Sequence, residues 1–314
     1  MMHAKYRTQL PQNVDNVFLT DGGLETTLLF HEGFELPCFA AFDLMRDLKG
    51  RQAIEAYLVK YITIAKENRT GIILDTPTWR ASHDWGAKLG YSAAALEMVN
   101  RESVEMLHKI RDVHETETTP CVINGAIGPR GDGYNPAFLM SVEEARDYHK
   151  AQVEAFTDAG VDMISAITMA YAEEAIAIAS LCQAAKVPSV IAFTVETDGR
   201  LPTGETLQSA IERTNAASDN GPAYYMINCA HPTHFEKILK EGGSWRNRIG
   251  GLRANASRLS HAELDEAEEL DDGNPAEFAA EHVALAQYLP NLAVIGGCCG
   301  TDHRHVSAVH RHFH

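Results

Sequence analysis

Residues 160–194 read GVDMISAITMAYAEEAIAIASLCQAAKVPSVIAFT. An apolar run at 163–166 precedes a segment at 173–186 whose apolar residues recur at helical spacing, and a second, β-branched run follows at 189–194. Two short apolar strands joined by a helix form a parallel βαβ unit, because such strands must be covered on both faces. The same alternation recurs on either side. It predicts further strands at 17–20, 71–75, 121–125, 223–228, 249–252 and 293–296. Amphipathic helices are expected at 51–69, 92–117, 141–159, 205–219, 234–241, 275–288 and 302–313. Eight βα units in 314 residues suit a single closed (β/α)8 barrel of the TIM type, an α/β fold in which closure removes the sheet edges. A doubly wound open sheet is the alternative. Neither of its usual phosphate loops, G-x-G-x-x-G or G-x-x-x-x-G-K-[ST], occurs, and Gly128-Pro129-Arg130-Gly131-Asp132-Gly133 has the wrong spacing.

No Pro/Ser/Gly linker or compositional shift divides the chain, so one domain over 1–314 is expected. Apolar residues make up 45% and charged residues 22%, the composition of a globular protein with a large core. The formal net charge of −16 repels a phosphate backbone, which argues against nucleic acid as a partner. The longest apolar runs fall far short of the roughly 20 residues of a membrane helix, so no membrane association is expected. The polar N-terminus lacks the apolar core of a secretory signal, so the expected location is the cytoplasm. Six cysteines are too few for a disulfide scaffold of this length and are read as thiols, metal ligands or core residues.

Chemistry in a closed barrel gathers at the carboxyl ends of the strands. Gly296-Gly297-Cys298-Cys299-Gly300-Thr301 follows the eighth strand and Asn228-Cys229-Ala230-His231-Pro232 the sixth, which puts three thiols at one end of the barrel. That geometry permits a site with three cysteine ligands and one open position, the pattern of a catalytic zinc. Flanking glycines let adjacent cysteines turn inward. The plainer reading makes Cys298 and Cys299 small core residues, and His231 is a further candidate ligand, or else it starts the next helix or lines the pocket. Cys38, Cys121 and Cys182 lack such placement and read as packing residues.

With these motifs stand Asp21-Gly22-Gly23-Leu24-Glu25-Thr26, Asp75-Thr76-Pro77-Thr78-Trp79 and Asn124-Gly125-Ala126-Ile127-Gly128-Pro129 after the first three strands, and Phe193-Thr194-Val195-Glu196 after the fifth. Together they resemble the homocysteine S-methyltransferase family over nearly the whole chain. The resemblance implies that Cys229, Cys298 and Cys299 bind Zn2+. It further implies that Asp21 meets the amino group of homocysteine, that Gly22 and Thr76 lie near its carboxylate, and that Asn228 lines the same pocket. No catalytic residue beyond the metal centre is implied. The partners would be a small thiol and a small methyl donor (S-methylmethionine, S-adenosylmethionine or betaine), and the product methionine. A homo-oligomer is compatible with this reading. Taken alone, Asp-Gly-Gly is a tight turn, and Glu25 a favourable charge at a helix start.

Two positions depart from the family pattern. Many relatives carry a Glu just beyond the fourth strand, where this chain has Ile167; Gly251-Leu252-Arg253-Ala254-Asn255 replaces a Tyr-Pro-Asn sequence, keeping only the Asn. The departure at Ile167 leaves open a barrel that acts on a different thiol, or binds zinc or thiols without catalysis. The acidic stretch 263–272 reads as a solvated face, and His303, His305, His310, His312 and His314 as the exposed side of a polar last helix. Trp79 and Trp85 are either pocket walls or core.

Overall fold

The computed structural model describes residues 4–267 and 269–313. Eight parallel strands close into a barrel in sequence order: β1 (Phe18–Leu19), β2 (Ile72–Asp75), β3 (Cys121–Ile127), β4 (Met163–Met169), β5 (Ser189–Phe193), β6 (Pro222–Asn228), β7 (Ile249–Ala254) and β8 (Val294–Gly297). Parallel pairing of β1 with β8 completes the ring. The main helices between and after them are α1 (Leu48–Glu67), α2 (Ala93–His114), α3 (Val142–Ala159), α4 (Ala172–Ala184), α5 (Leu207–Ala217), α6 (Pro232–Glu241), α7 (Pro275–Ala286) and α8 (His303–Phe313). All eight expected strands are present.

Local signals set the boundaries. Ser141 and Glu144 form a reciprocal capping box at the start of α3, and Gly160, at φ 89°, ends it in a left-handed turn that side chains disfavour. His231 caps α6 by accepting the Thr233 N–H, with Pro232 in the first turn, so it starts a helix, and it stands outside the cluster of three possible ligands found among the described residues. Inward-facing Phe18, Ile73, Val122, Met163, Val190 and Met226 fill the barrel, and Tyr6 and Leu10 pack beneath them. Cys121 and Cys182 are fully buried and Cys38 partly buried, all against apolar neighbours.

Strands β3 and β4 run further than expected. In β4 the register shifts between Ala166 and Met169, and Thr168 sits at φ 67°. The cause lies two strands away: the Asn228 amide oxygen accepts the Thr168 N–H at 3.0 Å, and its nitrogen donates to Thr168 Oγ1 at 2.8 Å. This distortion accompanies Ile167 at the barrel mouth.

One surface reading is corrected. His305 and His310 are buried, because α8 docks through a face that also carries Val306 and Val309, leaving only His303 and His312 exposed; His314 lies outside the described residues. Among its described residues the acidic stretch is solvated as expected: Glu263, Glu266, Glu269 and Asp271 are exposed and Asp272 is half-buried, while Leu264, Glu269, Leu270 and Asp271 also border the main cavity, Asp271 accepting from the Ser257 hydroxyl at 2.6 Å. Glu268 lies outside the described residues.

Candidate metal centre

Cys229 leaves β6 in the left-handed region, at φ 52°. That strained turn is held from both sides: its N–H donates to the Arg253 carbonyl at 3.1 Å, and its carbonyl accepts from His261 Nε2 at 2.7 Å. His261 is positioned in turn by Glu196, 2.9 Å from its Nδ1, and stacks on Tyr134 with ring centroids 3.8 Å apart. At the end of β8 the Cys298 N–H donates to Ala254, and the Cys299 carbonyl accepts from Ala256. Gly300, at φ 77°, completes the turn that both cysteines need.

The three Sγ atoms of Cys229, Cys298 and Cys299 lie within 4.8 Å of one another, the one such convergence of three ligand atoms among the described residues. Cys229 and Cys298 are paired as a disulfide, and Cys299 Sγ is 3.9 Å from Cys229 Sγ. Reduction to thiols gives an all-sulfur donor set. Tetrahedral coordination with metal–sulfur bonds of about 2.3 Å sets ligand sulfurs about 3.8 Å apart, so the residues fit a thiophilic ion such as zinc. Burial, with Glu25 adding to it, pushes the Cys299 thiol up to about 11. Asn228 Nδ2 and Tyr134 Oη stand 3.9 Å from Cys298 Sγ and Cys299 Sγ, respectively.

The cysteines open into a cavity of about 530 Å³ at the carboxyl ends of the strands. Asp21, Gly22, Thr76 and Ile167 line it, as do Phe30, Trp79 and Tyr134; Trp85 does not. Asn228 is fully buried behind the wall, so its place is to hold Thr168 and to face Cys298, and not to line the cavity. Thr76 does not offer a free donor. At Gly22 a β-carbon would collide with the Tyr61 hydroxyl and the Thr301 carbonyl. The Thr76 N–H donates to Asn124, and its hydroxyl accepts from Ala126 and pairs with Thr78.

One charged group was missed by sequence reasoning. Arg253, inside β7 and buried, forms ion pairs with both Asp21 and Asp75, and its Nε donates to the Gly297 carbonyl at 3.3 Å. Tyr57 donates to the second oxygen of Asp21 at 3.1 Å, and Asn124 to the second oxygen of Asp75 at 2.8 Å. Burial pushes the Asp21 carboxyl up to about 7, with Arg253 pulling the other way and Asp75 reinforcing the rise. Burial also works against the charge on Arg253, but Asp75 and Asp21 outweigh it. The signal was present in the chain: an arginine within an otherwise apolar parallel strand must find a buried anion.

A family model described as homocysteine S-methyltransferase matches residues 18–313. Homocysteine S-methyltransferase 1 of Arabidopsis thaliana is 23% identical over 93% of this chain and 92% of its own length. Homocysteine S-methyltransferase of Escherichia coli K12 is 27% identical over 74% of this chain and 77% of its own. Among solved structures, the Escherichia coli homocysteine methyltransferase MmuM shares the fold. Its oxidized form gives a TM-score of 0.72 at 21% identity, covering 94% of this chain and 96% of that one. Its metallated form gives 0.70 at 20%, covering 95% and 96%.

Proposed function

Because the chain belongs to the homocysteine S-methyltransferase family of enzymes, whose model spans all eight strands of its barrel, we propose that it is a zinc-dependent S-methyltransferase. It moves a methyl group from a small cationic donor, S-methylmethionine, S-adenosylmethionine or betaine, to a small thiol; homocysteine, giving methionine, is the first acceptor to assay. The observation that carries this reading is the convergence of three cysteine sulfurs at the open end of the barrel. Asp21, Gly22 and Thr76 form the wall beside which the acceptor lies, and Asn228 supports the opposite wall, at Thr168 beside Ile167, from behind. Cytoplasmic location fits, since a reducing compartment keeps Cys229 and Cys298 as thiols. Among the described residues no helix is long and apolar enough to cross a membrane.

A free alkyl thiol, with a pKa of about 8.5, is mostly protonated at neutral pH. Cys229, Cys298 and Cys299 would hold the zinc ion, which would supply the positive charge that favours the deprotonated form of the acceptor thiol. The chain's own residues do the rest. His261 and Arg253 fix the backbone of Cys229, and the Asn228 amide and Tyr134 hydroxyl face the cysteine sulfurs. Phe30, Trp79 and Tyr134 line the cavity that a sulfonium or quaternary ammonium donor would enter, and cation–π attraction favours such a group beside an aromatic ring. The acceptor sulfur's lone pair forms the new C–S bond as the donor's bond to its methyl carbon breaks in line. That electron pair returns to the donor heteroatom, so the cationic donor leaves neutral and the acceptor becomes a thioether. The acceptor's S–H proton is released on binding.

The purified, reduced protein is expected to hold about one zinc per chain. Metal analysis after exhaustive removal of loosely bound ions checks this, and a Cys298→Ala, Cys299→Ala double variant should lose the ion. Full zinc retention in that variant would sink the ligand assignment.

A further inference from the structure

The cavity floor beside the cysteines already contains a cation. Arg253 Nε donates to the Gly297 carbonyl, the Gly297 N–H donates to the Asp21 carbonyl, and the Cys298 N–H donates to Ala254, so the guanidinium and the cysteine turn are tied into one backbone network. We infer that the acceptor thiol carries no ammonium group, because the Arg253 guanidinium fills the cation position between Asp21 and Asp75. This deepens the methyltransferase reading and rests on it.

Each carboxylate oxygen of Asp21 and Asp75 has a donor from this chain: Arg253 and Tyr57 for Asp21, Arg253 and Asn124 for Asp75. An arriving ammonium would lose its water and meet a guanidinium of like charge, with both anions already engaged. The other wall offers no substitute. Ile167 is apolar and nearly buried, and Trp79 Nε1 donates to its carbonyl at 3.2 Å. Among the remaining acids of the cavity, Asp132 lies 3.6 Å from Arg80 and Asp271 accepts from Ser257. Glu269 is exposed, and burial raises the Glu25 carboxyl, which weakens its charge. An uncharged chain beside the sulfur loses nothing at Ile167 and leaves the Asp21–Arg253–Asp75 cluster intact.

The test titrates reduced, zinc-loaded protein calorimetrically with homocysteine, with 4-mercaptobutanoate, which is homocysteine without its amine, and with 1-propanethiol. Methyl transfer to each is assayed separately with the three donors. Both amine-free thiols should bind at least tenfold more tightly than homocysteine. Homocysteine binding as tightly as either, or no binding by any of the three, overturns the inference. Arg253→Gln should narrow the gap at least fivefold by releasing both carboxylates, and an unchanged gap in a folded variant removes Arg253 from the explanation. If that variant does not fold, the wild-type ranking decides alone. Absence of methyl transfer to every thiol defeats the methyltransferase reading while the affinity ranking still decides this one; efficient methylation with homocysteine bound tightest does the reverse.

Discussion

At the scale of single residues, two carboxylates share one guanidinium, and that asymmetry sets what each substitution does. Arg253→Met leaves Asp21 and Asp75 buried without their cation, a change that costs about 3–5 kcal/mol where one partner of a buried pair is removed. Asp75→Asn leaves a one-to-one pair with Asp21 and should cost clearly less. Urea denaturation of the two variants gives the order, and an Arg253→Met protein as stable as Asp75→Asn would mean that the cluster is not held by its charge. The cysteines of the site were legible in the chain because adjacent thiols flanked by glycine are rare and the strand pattern placed Cys229 at the same end. The partner of Asp21 was not. Asp21 and Arg253 are far apart in sequence, and a motif says which residues stand at strand ends without saying which of them neutralise each other.

At the scale of elements, the strands were legible because buried parallel strands are short apolar runs, whereas the bulge in β4 was not, because it depends on the Asn228 side chain from another strand. The faces of α7 and α8 were likewise set by docking and not by polarity, which is why histidines lie inside. His282 on α7 is fully buried; its Nδ1 donates to the Phe278 carbonyl at 2.9 Å, and its ring lies 4.2 Å from that of Phe278. Burial lowers its pKa to about 4, from an ordinary 6.5. The unfolded chain therefore takes up a proton below about pH 6.5 that the folded chain refuses until about pH 4. Its contribution is fully present above pH 6.5 and is lost as pH falls through this window, by roughly 3 kcal/mol at most. Comparing denaturation of wild type and His282→Leu at pH 7 and pH 4.5 isolates this share. The variant should lose less stability on acidification, and parallel losses would show that other groups drive the acid limb.

At the scale of the whole molecule, the barrel separates its two ends, with the cysteines and the cavity at the carboxyl ends of the strands and residues 4–17 across the other end. Asp162, fully buried just before β4, anchors that closure. One of its oxygens accepts the Lys5 and Tyr6 N–H groups at 2.6 and 2.8 Å, and the other accepts Arg111 and the Ile123 N–H at 2.7 and 2.8 Å. Arg7 adds bonds to the Val161 carbonyl, while Tyr6 and Leu10 cover the barrel's inward-facing side chains. A chain starting at Pro11 loses these contacts and leaves one Asp162 oxygen without its two backbone donors. Partial burial of two large side chains together with those hydrogen bonds amounts to roughly 2–4 kcal/mol, enough to lower the melting temperature by several degrees. None of the lost groups touches the cavity, so zinc content and thiol affinity should stay within about twofold of the full chain at temperatures where both are folded. A truncated protein that melts normally but binds thiols tenfold more weakly would refute this separation, because it would mean that closure at one end governs the geometry of the cysteines at the other.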